Sequence, residues 1–260
     1  MRTLILGDVH GMRAELEQLL ALAGFARGDR LVSLGDLLDK GPDCAGAVRV
    51  LRELREDGHD VVLVMGNHEE KHARWRRREQ QRAATGRANK MEVGGKFVEI
   101  ERSLSSADVR FLETAVPWFP MPEHDALAVH AGIPPRWATL GAPPVDWWGL
   151  ENGDRKHLEG VLRIRFVHAD TLQPASLGHQ RSGDPFWADL YDGRFGHVYF
   201  GHVVFLQDVP ATYAHATGLD LGAVHGGWLC AAILQEGEAP RYAAVRALQA
   251  YARRLEDEDA

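Results

Sequence analysis

The sequence predicts a mixed α/β fold built around a parallel sheet, and three observations support this prediction. Short apolar segments alternate with segments of helical periodicity along the N-terminal part of the chain. Strand-like segments return near the C-terminal end. The 260 residues are 45% hydrophobic and 26% charged, with a formal charge of -7, which is typical of a folded globular protein. We expect one large hydrophobic core.

Three strands separated by helices are predicted at the N-terminus. The strands are the apolar segments Leu4–Leu6, Leu31–Leu34 and Val61–Met65. Between them, leucines and valines recur at helical spacing, beginning at Leu16 in the first helix and Val48 in the second. Pro42-Asp43 marks the start of the second helix. Successive strands joined by helices favour right-handed crossovers and a buried parallel sheet.

The rest of the chain is predicted to be helical, then irregular, then extended. A helical pattern covers 69–116, and Ser105 to Asp108 forms a capping box. The segment 133–196 is rich in Gly, Pro and Trp, so we expect loops with short elements. Further strands are predicted at Ala126–Val129, His197–Phe200, Val209–Tyr213, Trp228–Leu234 and Tyr242–Val245. The last four are close enough in sequence for antiparallel pairing.

These elements predict a single domain over 1–246 with a helical insert at about 69–116, followed by a C-terminal helix and acidic tail over 247–260. No apolar segment approaches the ~20 residues needed to cross a bilayer, so no membrane partner is expected. Asp8 interrupts the N-terminal apolar segment before a signal-peptide core could form. Two cysteines are too few for a disulfide framework, and we expect a cytoplasmic protein.

The predicted strand ends carry a regular pattern of candidate metal ligands. Each of the first three strands ends in glycine followed by aspartate or asparagine, and two later strands end at histidines. The candidates are Asp8, His10, Asp36, Asn67, His130 and His202. Because the carboxyl ends of neighbouring parallel strands meet at one edge of a sheet, we expect these side chains to lie together. Oxygen and imidazole ligands without thiolates favour a pair of Mn, Fe or Zn ions over a structural zinc.

These motifs resemble those of the calcineurin-like metallophosphoesterases of the phosphoprotein phosphatase superfamily. In family order, the matching segments are Gly7–Gly11, Gly35–Gly41, Gly66–Glu69, His130-Ala131-Gly132 and Gly201-His202. The resemblance implies a metallo-dependent phosphatase fold, a four-layer α/β/β/α double β-sandwich with flanking helices. It also implies two divalent metal ions as cofactors, with Mn²⁺ expected and Fe, Zn, Co or Ni as alternatives.

The resemblance also implies a role for each motif residue. Six residues would hold the two ions: Asp8, His10 and His202 on one, Asn67 and His130 on the other, and Asp36 bridging both. His68 is implied as the general acid, held by Asp39. Two cations ~3.5–4 Å apart can bind the oxygens of a phosphoryl group while activating a hydroxide. His68 lies one residue beyond a ligand, so it can sit in the site and donate a proton.

Three further residues are predicted to contact the substrate. Lys40 stands where the family usually has arginine, and a lysine is a point charge rather than a bidentate fork. The other family arginine maps to Arg165, although Arg163 lies two residues away on the same face of a predicted strand. His225 lies in Gly218–Leu229, which resembles the closing motif of bacterial symmetrical bis(5'-nucleosyl)-tetraphosphatases, where an aromatic residue is usual. Substrate contact, a turn position and metal ligation are all open for His225.

The chain is therefore predicted to cleave dinucleoside polyphosphates such as diadenosine tetraphosphate, to two ADP, by metal-bound hydroxide. The alternatives are a protein Ser/Thr phosphatase or broad-specificity phosphomonoesterase with the same core, and a non-catalytic polyanion-binding module. The expected partner is a phosphorylated small molecule or a phosphoprotein. The sequence indicates no oligomeric state.

Two other features allow alternative interpretations. The segment 71–102 carries ten basic and four acidic residues, which suits either a solvated helix face or a steering patch for a polyanionic substrate. No nucleic-acid recognition motif accompanies this charge, so no specific nucleic-acid partner is expected. Trp147-Trp148 and Phe186-Trp187 could stack a nucleobase or anchor an irregular segment in the core.

Overall fold

A computed structural model describes residues 1–140, 147, 149–151, 155–156 and 158–253 of the chain. The predictions for Trp148 and for the acidic tail lie outside the described residues. The helices are α1 (Arg13–Leu22), α2 (Cys44–Glu56), α3 (Asn67–Thr85), α4 (Gly95–Ser103), α5 (Ser106–Leu112), and the single turns α6 (Gly160–Arg163) and α7 (Trp187–Leu190). The strands are β1 (Arg2–Leu6), β2 (Arg30–Ser33), β3 (Asp60–Leu63), β4 (Trp118–Met121), β5 (Ala126–Val129), β6 (His197–Phe200), β7 (Ala211–Thr212), β8 (Ala216–Gly218), β9 (Asp220–Leu221), β10 (Trp228–Gln235) and β11 (Arg241–Arg246).

One sheet forms around the N-terminal strands. Its order is β11-β10-β1-β2-β3, with β9 paired to β10. Strands β1, β2 and β3 are parallel, as the alternation of strands and helices predicts, with Leu4 opposite Leu31 and Leu31 opposite Val61. Strand β10 lies between β1 and β11 and is antiparallel to both. The C-terminal part of the chain therefore completes the N-terminal sheet.

The second sheet has the order β4-β5-β6-β8-β7. Strands β5, β6 and β8 are parallel, so the antiparallel pairing predicted for His197–Phe200 is wrong. The connection after β6 returns to the starting end of the sheet, and β8 consequently runs in the same direction. Antiparallel pairing is found for β10 with β11 and for β7 with β8. The predicted strand Val209–Tyr213 contributes only the two residues of β7.

The two sheets pack face to face with helices outside them. Alternate residues of a strand point to opposite faces of its sheet. Ile5 and Val32 belong to a buried cluster with Tyr199 of the second sheet. Leu4 and Leu31 instead belong to the larger core that includes the inner faces of α1 and α2. The mixed α/β double sandwich with flanking helices is therefore confirmed.

The segment after β3 is helical, and the C-terminal segment is not. Ser105 and Asp108 form the capping box at α5 that the sequence predicts. The predicted C-terminal helix is not formed over 247–253. There the Leu248 N–H and the Tyr251 hydroxyl donate to Glu15 Oε1 on α1, and these long-range bonds replace local helical ones.

Among the described residues, no helix is long and apolar enough to cross a membrane.

Candidate metal centre

The predicted ligands converge where the strands of both sheets end. Asp8 follows β1, Asp36 follows β2, Asn67 begins α3 after β3, and His130 and His202 follow β5 and β6. Within the described part of the chain, two groups place their ligand atoms within 4.8 Å of one another. They are His10 with Asp36 and His68, and Asp36 with His130 and His202. Asp36 belongs to both groups. His202 lies with His130 and not with His10, so the expected assignment of His202 to the ion of Asp8 and His10 is wrong.

Asp36 is the centre of this arrangement. Its Oδ2 lies 3.7 Å from His10 Nε2 and 3.8 Å from His68 Nε2, whereas its Oδ1 lies 3.5 Å from His130 Nε2. Burial acts to raise the pKa of Asp36, but the surrounding imidazoles, led by His130, outweigh it and hold the pKa below its ordinary value. The group is thus an ionised carboxylate whose two oxygens face different sets of histidines.

The hydrogen bonds of two histidines establish which ring nitrogen can bind a metal. His10 Nδ1 lies 2.8 Å from Leu38 O, and His130 Nδ1 lies 2.8 Å from Leu34 O. A carbonyl oxygen only accepts, so each Nδ1 donates, and the Nε2 of a neutral ring then has its lone pair available for a metal ion. Burial lowers the pKa of His10 to about 3 and also lowers the pKa of His130. A lowered pKa favours the neutral form of each ring, which is the form that binds a metal ion.

Asn67 and Asp8 complete the set. Asn67 Oδ1 lies 2.9 Å from His130 Nε2 and 3.0 Å from His202 Nδ1. Asp8 Oδ2 accepts the His202 N–H at 3.0 Å, but buried Asp8 Oδ1 has no hydrogen-bond partner among the described residues. Burial, then the charges of Asp220 and Asp36, raise the pKa of Asp8. A cation would offset both the missing partner and the repulsion, so these residues fit divalent metal ions.

The backbone of the site is turned sharply to present these side chains. Five of its residues have φ in the left-handed region: His10 (45°), Asp36 (51°), Asp39 (65°), Lys40 (65°) and His202 (66°). Such conformations are costly outside glycine and are concentrated at functional sites. Glycine is required beside two of the carboxylates. A Cβ at Gly66 would overlap Asp36 Oδ1, and a Cβ at Gly201 would overlap Asp8 Oδ1.

Glu69 has a role that the sequence analysis did not assign. Its buried carboxylate accepts the N–H groups of Asp36 at 2.6 Å, Leu37 at 2.9 Å and Gly66 at 3.1 Å. These bonds hold the loop after β2 against the first turn of α3. Its place directly after Asn67 and His68 in the third motif was the available signal. Glu69 therefore fixes the position of Asp36 without belonging to either ligand group.

His68 is placed between a carboxylate and the ligand groups. Its Nδ1 lies 2.6 Å from Asp39 Oδ2, and its Nε2 lies 3.8 Å from Asp36 Oδ2. Burial acts to lower the pKa of His68, but Asp36 and Asp39 outweigh it and raise the pKa above its ordinary value. The ring can therefore carry a proton on the nitrogen that faces the ligands. The other oxygen of Asp39 lies 3.1 Å from His72 Nε2, a residue that the sequence analysis left without a role.

The three predicted substrate contacts, Lys40, Arg165 and His225, line one cavity of about 990 Å³. The cavity is near the ligand groups, because two charges of its lining act on them. Burial is the main cause that lowers the pKa of His202 and of His10; the charge of Arg165 also acts to lower the pKa of His202, and that of Lys40 acts to lower the pKa of His10. The cavity lining, as far as the described residues go, has one acidic side chain, Glu159, and five cationic ones: Lys40, Arg136, Lys156, Arg163 and Arg165. The structure thus adds Arg136 and Lys156, for which no sequence motif provided a signal.

The prediction that Arg163 lies in a strand is wrong, and the structure places His225 in the cavity wall. Arg163 ends the helical turn α6 and is not in a strand. Its Nη2 lies 2.8 Å from Glu70 Oε2. His225 belongs to the cavity wall, with Nδ1 3.1 Å from Ala252 O, whereas the ligand groups found among the described residues contain His130.

The structure also bears on the aromatic pairs and on the basic segment 71–102, for which the sequence left two interpretations each. Trp147, Phe186 and Trp187 are buried, and Trp187 packs edge-on against Phe200, so the base-stacking interpretation is wrong for these residues. They anchor the irregular segment in the core. In the basic segment, Arg76 Nη1 lies 2.8 Å from Glu101 Oε1, and the Arg76 side chain is mostly buried. Seven of the ten basic residues are exposed, so the solvated-face interpretation fits most of the segment but not Arg76: Arg77, Arg78, Arg82, Arg87, Lys90, Lys96 and Arg102.

This fold and site define a class of metal-dependent phosphoesterases. The sequence profile of the calcineurin-like phosphoesterase family matches residues 1–226, and the chain belongs to that family. It is a metal-dependent phosphoester hydrolase, and the resemblance of its motifs to this family is confirmed.

More specific similarities extend over nearly the whole chain. The symmetrical bis(5'-nucleosyl)-tetraphosphatase of Chromohalobacter salexigens is 29% identical over 92% of this chain and 96% of its own length. The protein of the same name from Pseudomonas putida is 30% identical over 93% and 92%. A crystal structure provisionally assigned as a diadenosine tetraphosphatase aligns with a TM-score of 0.70 and 26% identity, covering 95% of this chain and 93% of that one.

A more distant neighbour shares the fold alone. A Saccharomyces cerevisiae protein serine/threonine phosphatase aligns with a TM-score of 0.55 at 14% identity, covering 96% of this chain and 81% of that one. The double sandwich is therefore common to enzymes with different substrates, and the substrate must be argued from the site.

Proposed function

We propose that this protein hydrolyses dinucleoside polyphosphates, such as diadenosine tetraphosphate, at the central anhydride bond and releases two nucleoside diphosphates. The observation that carries this proposal is the cationic cavity beside the ligand groups. Among the described residues, its lining holds five Lys or Arg side chains and one Glu in a chain whose net charge is -7, and one of the five, Arg163, is paired with Glu70. A single phosphoryl group does not require so many cations, whereas a polyphosphate chain does.

The shape of the cavity also suits a nucleotide. Its volume of about 990 Å³ is at the upper end of the range for small-molecule sites. Apolar residues such as Pro134, Phe166 and Pro174 line it together with the cations. A cavity with both kinds of wall accommodates an anionic chain and an uncharged base. The full-length similarity to proteins named symmetrical tetraphosphatases supports the same substrate class.

We propose that two divalent cations, with Mn²⁺ as the first candidate, are held by the predicted residues. These are Asp8 and His10 for one ion and Asn67, His130 and His202 for the other, with Asp36 shared. His202 is placed on the second ion because its ring lies with His130 and Asp36 and its Nδ1 is 3.0 Å from Asn67 Oδ1. Bound there, the cations would polarise the phosphoryl oxygens and lower the pKa of a water molecule. The lowered pKa values of His10 and Asp36 support this assignment, as does Asp8 Oδ1, which has no hydrogen-bond partner within the described part of the chain.

The protein groups around the cations have separate tasks. His68 donates a proton to the oxygen of the departing nucleoside diphosphate, because its Nε2 faces the ligand groups while Asp39 holds Nδ1. Lys40 and Arg165 bind non-bridging oxygens of the polyphosphate and orient it for in-line displacement. His225 lines the same cavity and contacts the substrate there.

The experiment that tests this proposal is product analysis. Diadenosine tetraphosphate and a phosphoserine peptide are incubated separately with the enzyme and Mn²⁺. We expect ADP as the sole nucleotide product, and no cleavage of an analogue with a methylene group in place of the central bridging oxygen. ATP and AMP as products, or phosphate release from the peptide alone, would contradict the proposal. An Asp36→Asn preparation measures the background from contaminating phosphatases.

A further inference from the structure

A second histidine occupies the side of Asp39 that faces away from His68. His72 lies one turn after His68 on α3, so both rings project from the same face of the helix. His68 Nδ1 lies 2.6 Å from Asp39 Oδ2, and His72 Nε2 lies 3.1 Å from Asp39 Oδ1. Each oxygen of this one carboxylate therefore has its own imidazole partner.

His72 is itself held rigidly. Its side chain is 0% exposed, and its Nδ1 lies 2.5 Å from Glu101 Oε1 on α4. The ring stacks on Phe97, with centroids 3.8 Å apart and an angle of 14° between the planes. Arg76 Nη1 binds the same Glu101 oxygen at 2.8 Å. Two carboxylates thus hold the ring in its plane, while Phe97 holds it from one face.

The hydrogen-bond chemistry determines the charge of His72. Both ring nitrogens face carboxylate oxygens, which accept hydrogen bonds when ionised, so both nitrogens carry protons. Burial acts to lower the pKa of His72, but the hydrogen bonds to Asp39 and Glu101 outweigh it and raise the pKa. The charges alternate from Asp39 through His72 and Glu101 to Arg76, which is the arrangement that lets buried charges be retained.

We infer that His72 and Glu101 are positioning residues that fix the Asp39 carboxylate and, through it, the His68 ring. The inference rests on the proton-donor role proposed for His68. Asp39 lies in a loop with a left-handed φ of 65°, and helices α3 and α4 supply the second contact that stops its carboxylate from rotating. Small displacements of a catalytic group cost rate even when every residue is present. Part of the basic segment therefore serves the proton donor in addition to any effect on substrate capture.

The test uses the leaving-group dependence of the rate. His72→Phe removes both N–H donors and keeps an aromatic ring on Phe97. Phenyl phosphate needs a proton on its leaving oxygen, whereas 4-nitrophenyl phosphate needs it much less. We expect kcat to fall about 10- to 100-fold on phenyl phosphate and several-fold less on 4-nitrophenyl phosphate, with KM and metal content unchanged. Adding His72→Phe to His68→Asn should cause no further loss, because the two residues act as a unit.

Two comparison variants separate positioning from a general loss of packing. Glu101→Gln keeps a hydrogen bond to His72 Nδ1, so His72 can still donate to Asp39, and kcat should stay within about 3-fold of the parent. His197→Phe makes the same chemical change at the opposite end of β6 from His202, where His197 Nε2 contacts Thr217 Oγ1 at 2.9 Å. It should leave both rates and their ratio unchanged.

Several results would overturn the inference. These are equal losses of His72→Phe on both substrates, additive losses in the double variant, and parent-like rates in a folded His72→Phe protein. If His72→Phe does not fold, Glu101→Ala takes its place as the test variant. The inference then requires that Glu101→Ala lose more activity on phenyl phosphate than on 4-nitrophenyl phosphate, whereas Glu101→Gln does not; any other result shows that the inference is wrong. If His68→Asn itself shows no leaving-group dependence, the proposed acid fails and the inference fails with it. Symmetrical cleavage of diadenosine tetraphosphate is tested separately by its products.

Discussion

Replacing Asp36 with asparagine tests the proposed metal centre directly, because Asp36 is shared by both ligand groups. The substitution keeps the shape of the side chain. It also keeps the backbone, since asparagine tolerates the left-handed φ of 51° that Asp36 adopts. The change is therefore confined to one negative charge and one oxygen ligand. A loss of metal would report on ligation, with little contribution from backbone strain.

The two proposed ions are expected to respond differently. The ion proposed beside His10 would retain the Asp8 carboxylate. The ion proposed beside Asn67, His130 and His202 would lose the carboxylate of its set and keep only neutral ligands. We expect the second ion to be lost first. A metal ion contributes several kcal/mol to transition-state stabilisation, and about 4 kcal/mol corresponds to a rate about 10³-fold lower.

The assay is metal content by mass spectrometry after gel filtration, with kcat on 4-nitrophenyl phosphate measured during a Mn²⁺ titration. Asp108→Asn is the matched control, because Asp108 is also buried but binds Arg52 Nε at 2.9 Å away from the ligand groups. The control should keep two ions per chain, whereas Asp36→Asn should keep one or fewer. Two bound ions and a rate within a few-fold of the parent enzyme would refute the assignment of Asp36 as the shared ligand.

Three further predictions follow from the site. Dialysis against a chelator should abolish hydrolysis and Mn²⁺ should restore it; full activity of the metal-free protein would exclude the proposed mechanism. Replacing Arg136 and Lys156 with glutamate should lower kcat/KM for diadenosine tetraphosphate at least 10-fold at low salt, and the loss should be smaller at high salt. The same variant should change kcat/KM for 4-nitrophenyl phosphate only slightly. Equal losses on both substrates would indicate a folding defect. Gly201→Ala should reduce metal content and destabilise the fold by about 1–3 kcal/mol, because its Cβ would overlap Asp8 Oδ1. Gly94→Ala, which meets no atom within 4 Å, is its control in metal analysis and thermal unfolding.

The sequence by itself determined the parallel N-terminal sheet and the residues that meet at its edge. Strand and helix periods are local properties, and successive strands joined by helices run parallel. The carboxyl ends of such strands lie at one edge, so Asp8, Asp36 and Asn67 could be grouped without coordinates. The capping box at Ser105 and Asp108 was predictable for the same reason, because all its atoms belong to one turn.

Only the tertiary structure decided how distant segments pair. Strand β10 inserts between β1 and β11, and β6 runs parallel to β8, because pairing depends on which faces can be buried together. The spacing of His68 and His72 shows that they share a helix face, but nothing local identifies Asp39 and Glu101 as partners of His72. These contacts join residues about 30 positions apart in the chain. The free energy of burying these charged side chains depends on which segments of the fold surround them. The contacts of His72 with Asp39 and Glu101, and the cationic cavity, could therefore be identified only from the tertiary structure.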